Sequence, residues 1–168
     1  VAPSYRLNVL AGLPVYNPNE NVESSRTFYG FSVDALNLLD LLDVNLFMNI
    51  QEVDDVNDRE AVGAEIRYFG GNRALIASVD YDFGYSELNS VAALGNWTFE
   101  NSLTVNGRFD CRFTASATTE NALIGQPASS IQDLLLTYTE GEIRQLALDR
   151  SGAMQSFALG VSRPISER

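Results

Sequence analysis

The sequence predicts an all-β protein, an antiparallel up-and-down β-barrel or part of one, with about eight strands. Segments of about ten residues alternate apolar and polar side chains with a period of two. Turn-like clusters such as Gly70-Gly71-Asn72 separate them. The β-α alternation of a parallel sheet is missing.

The first strand candidate runs from Tyr5 to Gly12, with Tyr5, Leu7, Val9 and Ala11 opposed to Arg6 and Asn8. The second, Phe28 to Ala35, sets Tyr29, Phe31, Val33 and Ala35 against Gly30, Ser32 and Asp34. The third, Val44 to Gln51, carries Val44, Leu46, Met48 and Ile50 on one face; Phe47 interrupts its polar face. From Ala61 to Phe69, Val62, Ala64, Ile66 and Tyr68 oppose Gly63, Glu65 and Arg67. From Leu75 to Tyr85, Leu75, Ala77, Val79, Tyr81 and Phe83 oppose Ser78, Asp80, Asp82 and Gly84. Val91 to Phe99 has a mixed second face. Leu103 to Phe113 alternates clearly, with Arg108, Asp110 and Arg112 on its polar side. The last candidate is Ala153 to Val161.

The rhythm breaks between residues 114 and 152. Ser130 with Asp133, and Thr139 with Glu142, have the spacing of helix-capping boxes. Leu134, Leu135 and Tyr138 follow the first, and Ile143, Leu146 and Ala147 the second. This predicts one β domain over 1–168 with a helical insertion at 114–152. The two short helices would cap one end of the sheet or form a plug or gate for a pore.

Composition removes several functions. No stretch reaches the ~20 consecutive apolar residues of a membrane helix. A net charge of −11 argues against a nucleic-acid partner, which needs clustered Lys and Arg. Histidine is absent, which removes Ser-His-Asp and Cys-His catalysis and the commonest zinc-ligand sets. Cys111 is the single cysteine, so no intrachain disulfide forms. The chain starts at Val1 without a signal-like segment, which reads as a mature chain or one excised from something larger.

Two features favour a membrane barrel over a sandwich. Arg6, Asp34, Glu65, Arg67, Asp80, Asp82, Arg108, Asp110 and Arg112 all fall on polar faces. Buried unpaired, such groups cost several kcal/mol each, whereas a hydrated lumen accepts them, with acids and bases on adjacent strands facing one another. Aromatic residues also gather toward strand ends. Tyr5, Tyr68, Phe69, Trp97 and Phe99 fall toward one rim; Phe28, Tyr29, Tyr81, Phe83, Tyr85, Phe109 and Phe113 toward the other. Two aromatic girdles around an aliphatic band suit the two bilayer interfaces. By the usual convention the short turns at 70–73 and 100–102 are periplasmic and the long insertion faces outward.

Three stretches carry a resemblance. Residues 59–69 (REAVGAEIRYF), 121–126 (NALIGQ) and 142–150 (EIRQLALDR) resemble the barrel portions of large proteobacterial envelope proteins. In those proteins a periplasmic tetratricopeptide-repeat region precedes an outer-membrane barrel, an organisation similar to exopolysaccharide-export porins. The resemblance implies an outer-membrane location in a Gram-negative envelope, with membrane lipid and a periplasmic helical-repeat region or polymer as partners. It implies no catalytic residue and no cofactor. No repeat of about 34 residues is visible in this chain. The C-terminal residues 162–168 lack the aromatic that usually ends such barrels, and Pro164 reads as a turn into a further strand. These departures suggest a piece of a larger barrel, or a barrel closed differently from its relatives.

The remaining chemistry is sparse. Residues 54–60 (DDVNDRE) hold oxygen ligands for calcium without EF-hand spacing, and read as a solvated acidic hairpin loop. Asp80 and Asp82 are spaced like a glycosidase carboxylate pair, about 7 Å apart on a strand. Charge pairing with Arg67 and Arg108 is the simpler expectation. Cys111 reads as a small apolar residue. The leading expectation is therefore a channel, export port or membrane anchor rather than an enzyme. The alternative is a soluble, lipocalin-like barrel that binds a small apolar ligand.

Overall fold

A computed structural model describes residues 2–12, 26–53, 56–113 and 119–165. Eight strands form one antiparallel sheet in strictly sequential order. They are β1 (Ser4–Gly12), β2 (Arg26–Leu38), β3 (Leu42–Val53), β4 (Val56–Gly70), β5 (Arg73–Asp82), β6 (Glu87–Thr98), β7 (Thr104–Phe113) and β8 (Ala153–Ser162). Helices α1 (Ile131–Leu135) and α2 (Glu140–Asp149), preceded by a 3₁₀ turn at Thr119–Leu123, lie between β7 and β8. The fold is all-β and up-and-down, but the barrel is not closed. β1 and β8 are not paired with each other and form the two edges.

Register explains why every strand alternates. Leu7, Val33, Leu46, Ala64, Val79, Val91, Cys111 and Gln155 form one row across all eight strands. The next row on that face is Tyr5, Ala35, Val44, Ile66, Ala77, Ala93, Phe109 and Phe157. Because side chains change face at each residue, a one-residue slip would exchange this apolar wall for the charged one. The apolar face is the more open one: Leu46 is 55 % and Val79 41 % exposed, while Asp80 on the opposite face is only 8 % exposed. On the charged face the acids are the enclosed groups, with Asp110 at 4 % exposure, while the Arg67 and Arg108 side chains stay about half open.

Two aromatics on the charged face are explained across strands. Phe47 pairs with Gly63, and a Cβ there would lie 2.1 Å from the Phe47 Cζ. Phe28 pairs with Gly12 in the same way, with the ring 2.0 Å from a Cβ built on the glycine. Each ring lies over a residue without a side chain, covering the backbone that glycine would leave bare.

Strand β5 ends at Asp82, three residues short of the Tyr85 end predicted from alternation. The Asp82 carboxylate accepts a hydrogen bond from the Tyr85 N–H at 3.1 Å, and the Phe83 N–H donates to the Glu60 carbonyl at 2.7 Å. The side chain of Asp82 thus holds the turn that follows this last bond to β4. Ser86 in this turn has φ 56°, and the β2–β3 turn places Asn37, Leu39 and Asp40 at φ 57°, 52° and 64°.

Both predicted helix starts are present. The Ser130 hydroxyl accepts from the Asp133 N–H, and Thr139 with Glu142 forms a complete capping box. The helical lobe holds the only cluster of buried apolar residues among those described: Ala122, Ile131, Leu134, Ile143 and Ala147 close on Val56 and Tyr85. A single-layer sheet has no second layer to bury its apolar face, so the dry core sits under the lobe at one rim.

Candidate functional site

The register gathers all nine charged residues predicted for a lumen onto one face. Arg6, Asp34, Glu65 and Asp110 belong to a single row with Asn45, Ser78, Ala92 and Ser156 between them. Asp80 and Arg112 share the next row, and Arg67 and Arg108 lie in the row on the other side. Asp82 follows two residues after Asp80 at the lobe rim.

Their pairing follows the expectation of acids and bases facing one another on adjacent strands only in part: Asp80 is paired across strands and Arg6 stands opposite Asp34, whereas other pairs fold back along one strand. Arg67 binds Glu65 on its own strand, with Nε 2.5 Å from Oε1. Arg112 binds Asp110 through Nε at 2.7 Å, while Arg108 approaches the same carboxylate at 3.5 Å. Each guanidinium is long enough to fold back over the intervening residue to a carboxylate two positions away. Asp80 is reached from the neighbouring strand by Arg59, which sequence reading placed in the acidic loop rather than on this face. Arg67 and Arg108, the partners expected for Asp80 and Asp82, are engaged elsewhere. Asp34 accepts from Asn8 at 2.9 Å and Asn45 at 2.6 Å. The Asp80 and Asp82 pair consists of one ion-paired and one turn-capping carboxylate.

Inside this network the Asp80 Oδ1 and Arg59 Nε atoms are buried without a protein partner. In a dry core such atoms would cost about 1–3 kcal/mol each.

The acidic stretch at 54–60 is reorganised relative to its reading as a solvated loop. Asp54 and Asp55 lie outside the described residues. β4 begins at Val56, and a register shift between Gln51 and Glu52 places Asp58 out of step with the ladder. Asp58 is 1 % exposed and accepts from the Gln51 amide at 2.6 Å and the Thr119 N–H at 2.5 Å. Thr119 also bonds the Tyr85 hydroxyl at 3.1 Å, and Glu120 pairs with Arg26 of β2 at 2.9 Å. β2 and β7 are five ladders apart, on the order of 24 Å along the sheet. A lobe inserted after β7 that touches β2 and β4 therefore crosses the end of the trough. Sequence reading found the helices but not this attachment, because neither Asp58 nor Thr119 belongs to a periodic pattern.

The aromatic residues are distributed as follows. Trp97 stacks on Phe99 at 5.4 Å, with the Arg73 guanidinium 3.9 Å over the indole; Tyr68 lies close by on the same face. A cation over an indole at the end of an apolar face suits a boundary between lipid and water. At the opposite rim Tyr81 meets Phe83 edge-to-face at 5.3 Å. Phe109 departs from its predicted rim, since register places it in the mid-strand row of Tyr5 and Phe157. Phe113 pairs through its backbone with Ala153, and its side chain lies outside the described residues. An apolar hollow of ~530 Å³ lined by Phe31, Leu46, Val62 and Tyr81 indents the outer face.

The lobe couples to pH at both ends. Hydrogen bonds from the Thr139 N–H and hydroxyl lower the Glu142 pKa, and those from Ser129 and Ser130 lower that of Asp133. Burial pushes the Tyr85 hydroxyl up to about 12. For the carboxylates, stability is complete above the ordinary carboxylate range and is lost as pH falls through their lowered values. For Tyr85 it is complete below the ordinary tyrosine value and is lost as pH rises from about 10 to about 12. Near-ultraviolet circular dichroism of the lobe is expected to hold at neutral pH and to decay in both directions. The alkaline loss should amount to about 2–3 kcal/mol and should disappear in Tyr85→Phe.

Comparison with protein-family models, curated proteins and solved structures finds no match to this chain.

Proposed function

We propose that this chain is a wall of an outer-membrane β-barrel that serves as a channel, export port or membrane anchor, with its apolar face toward lipid and its Arg/Asp face lining a hydrated lumen. The observation that carries the reading is the inverted burial. Largely apolar rows spanning all eight strands are left open, while Asp80, Asp82 and Asp110 on the opposite face are buried; Asp110 is 4 % exposed. A soluble sheet normally reverses this, since uncovered apolar patches beyond a few hundred Å² mark an interaction surface. No described helix is long and apolar enough to cross a membrane, so strands would make the crossing. Strands of 9–15 residues are sufficient for a tilted span. The lobe across one end fits a lid over the lumen. The Gram-negative outer membrane, and a helical-repeat or polymer partner, belong to this proposal through the resemblance of residues 59–69, 121–126 and 142–150.

Sedimentation of the purified chain tests the reading. The expected outcome is precipitation in plain buffer and folding in detergent, with gel mobility that shifts on boiling. A β-rich, dispersed species without detergent would favour the lipocalin-like alternative, with the apolar face turned inward.

A further inference from the structure

The apolar hollow of ~530 Å³ lies in the interior of the sheet. It is set between two successive rows of β2 to β5, with Phe31 and Tyr81 at the ends of one and Val33, Leu46 and Ala64 along the other. Each of these four strands is paired on both sides, so the hollow does not depend on either edge. Its volume is that of a small-molecule site, yet the Tyr81 hydroxyl is the only hydrogen-bonding side-chain group on its walls. Such walls accept a tail without polar atoms. The polar groups begin one row nearer the lobe. Glu60 lies two residues from Val62 toward that rim, roughly 7 Å along the strand. Glu60 stands opposite Ile50 and Asn57 opposite Glu52, so the register shift at Asp58 brings Asn57 onto the apolar face beside both carboxylates. The Asn57 amide donates to Glu60, and the Tyr29 hydroxyl donates to Glu52 at 3.4 Å. Asn57 Oδ1 is buried without a partner. Among the described residues no arginine pairs with Glu52 or Glu60: Arg59 is engaged with Asp80 and Arg26 with Glu120. The chain contains no lysine. The hollow therefore ends at a cluster of acceptors that carries two negative charges and no cation of its own.

We infer that the hollow and this acceptor cluster bind one lipid with an amine head, a phosphatidylethanolamine. An acyl chain lies in the hollow, and the ammonium donates to Glu52, Glu60 and Asn57 Oδ1. The three N–H groups of a primary ammonium match the three acceptors. A trimethylated choline head has no N–H to give. A glycerol head leaves the phosphate charge uncompensated, and the two carboxylates repel it. The presence of lipid on this face rests on the function proposed above; the choice of headgroup rests on Glu52, Glu60 and Asn57.

Fluorescence quenching of the full chain in vesicles, by lipids brominated in their chains, tests it. In a Trp97→Phe background, Ile66→Trp puts an indole in the row adjoining the hollow, and Phe109→Trp puts one in the same row three strands away. Brominated phosphatidylethanolamine, phosphatidylcholine or phosphatidylglycerol is mixed at one fixed fraction into unbrominated phosphatidylcholine. Ile66→Trp should be quenched most by the ethanolamine lipid and least by the glycerol lipid. The expected preference for ethanolamine over choline is about two- to five-fold in relative binding, the scale of one exposed ion pair. Phe109→Trp should show no preference. Adding Glu52→Gln and Glu60→Gln should remove the preference at Ile66→Trp, with heat-modifiable mobility showing that the fold persists. The three-lipid comparison needs neither of these two substitutions, so it decides even where that variant fails to fold. Equal quenching by the three lipids at Ile66→Trp, the same preference at Phe109→Trp, or a preference kept without both carboxylates would overturn the inference and leave the membrane reading standing. No quenching at either position would remove both.

Discussion

On the membrane reading proposed above, Ala77→Arg is expected to cost the folded protein about 2–4 kcal/mol in a bilayer, the penalty for a cation at mid-depth on a lipid-facing strand. Ala77 lies midway along β5 in the row with Val44, Ile66 and Ala93, with no layer packed over it. The same face of the same strand already carries an arginine at its end: Arg73 over Trp97. Val105 shares that rim row, so Val105→Arg should cost only about 0–1 kcal/mol. Denaturant titration of folding into vesicles, followed by heat-modifiable mobility, measures both. The gradient with depth is the diagnostic, because a dry protein interior would penalise both positions alike.

Asp58→Ala is expected to release the lobe. The substitution leaves the Thr119 N–H and the Gln51 amide without their acceptor in a site where Thr119 is fully buried. Two orphaned donors at about 1–3 kcal/mol each make a loss of about 2–6 kcal/mol the expected scale. The loss should be local. Proteolysis should begin within the insertion, and the Tyr85 titration should fall from about 12 toward the ordinary value as its burial is lost. The β signal of the sheet should stay. If the lobe lies across a lumen, single-channel conductance should rise in the same variant. Loss of the whole sheet would mean that the lobe is part of the folding unit rather than an attached lid.

Much of the fold was legible because most strands have only one apolar face. With period-two alternation, that asymmetry is visible without knowing any partner, and it located all eight strands and put the nine charged residues on one side. The capping boxes at Ser130 and Thr139 were legible for a similar reason, since both halves of each lie within one turn of chain. What escaped depends on residues distant in sequence. Phe47 looks like an error of alternation until Gly63 is known to be opposite it. Arg59 looks like part of an acidic loop until β4 is found to start at Val56. The ion pairs escaped for a different reason: an arginine can fold back along its own strand as readily as across, and alternation cannot distinguish the two. Whether the sheet closes is likewise absent from local pattern. It depends on curvature summed over seven ladders and on the lobe that spans the mouth.

The direction of the two faces is the central claim, and one fluorescence measurement tests it. Trp97 is the sole tryptophan, so Trp97→Phe gives a silent background. Val79→Trp and Ser78→Trp then place a single indole on opposite faces of the same strand, one residue apart. In vesicles of brominated phospholipid, Val79→Trp is expected to show blue-shifted, strongly quenched emission and Ser78→Trp red-shifted emission with little quenching. Equal quenching, or stronger quenching of Ser78→Trp, would contradict an apolar face turned to lipid and a charged face turned to water.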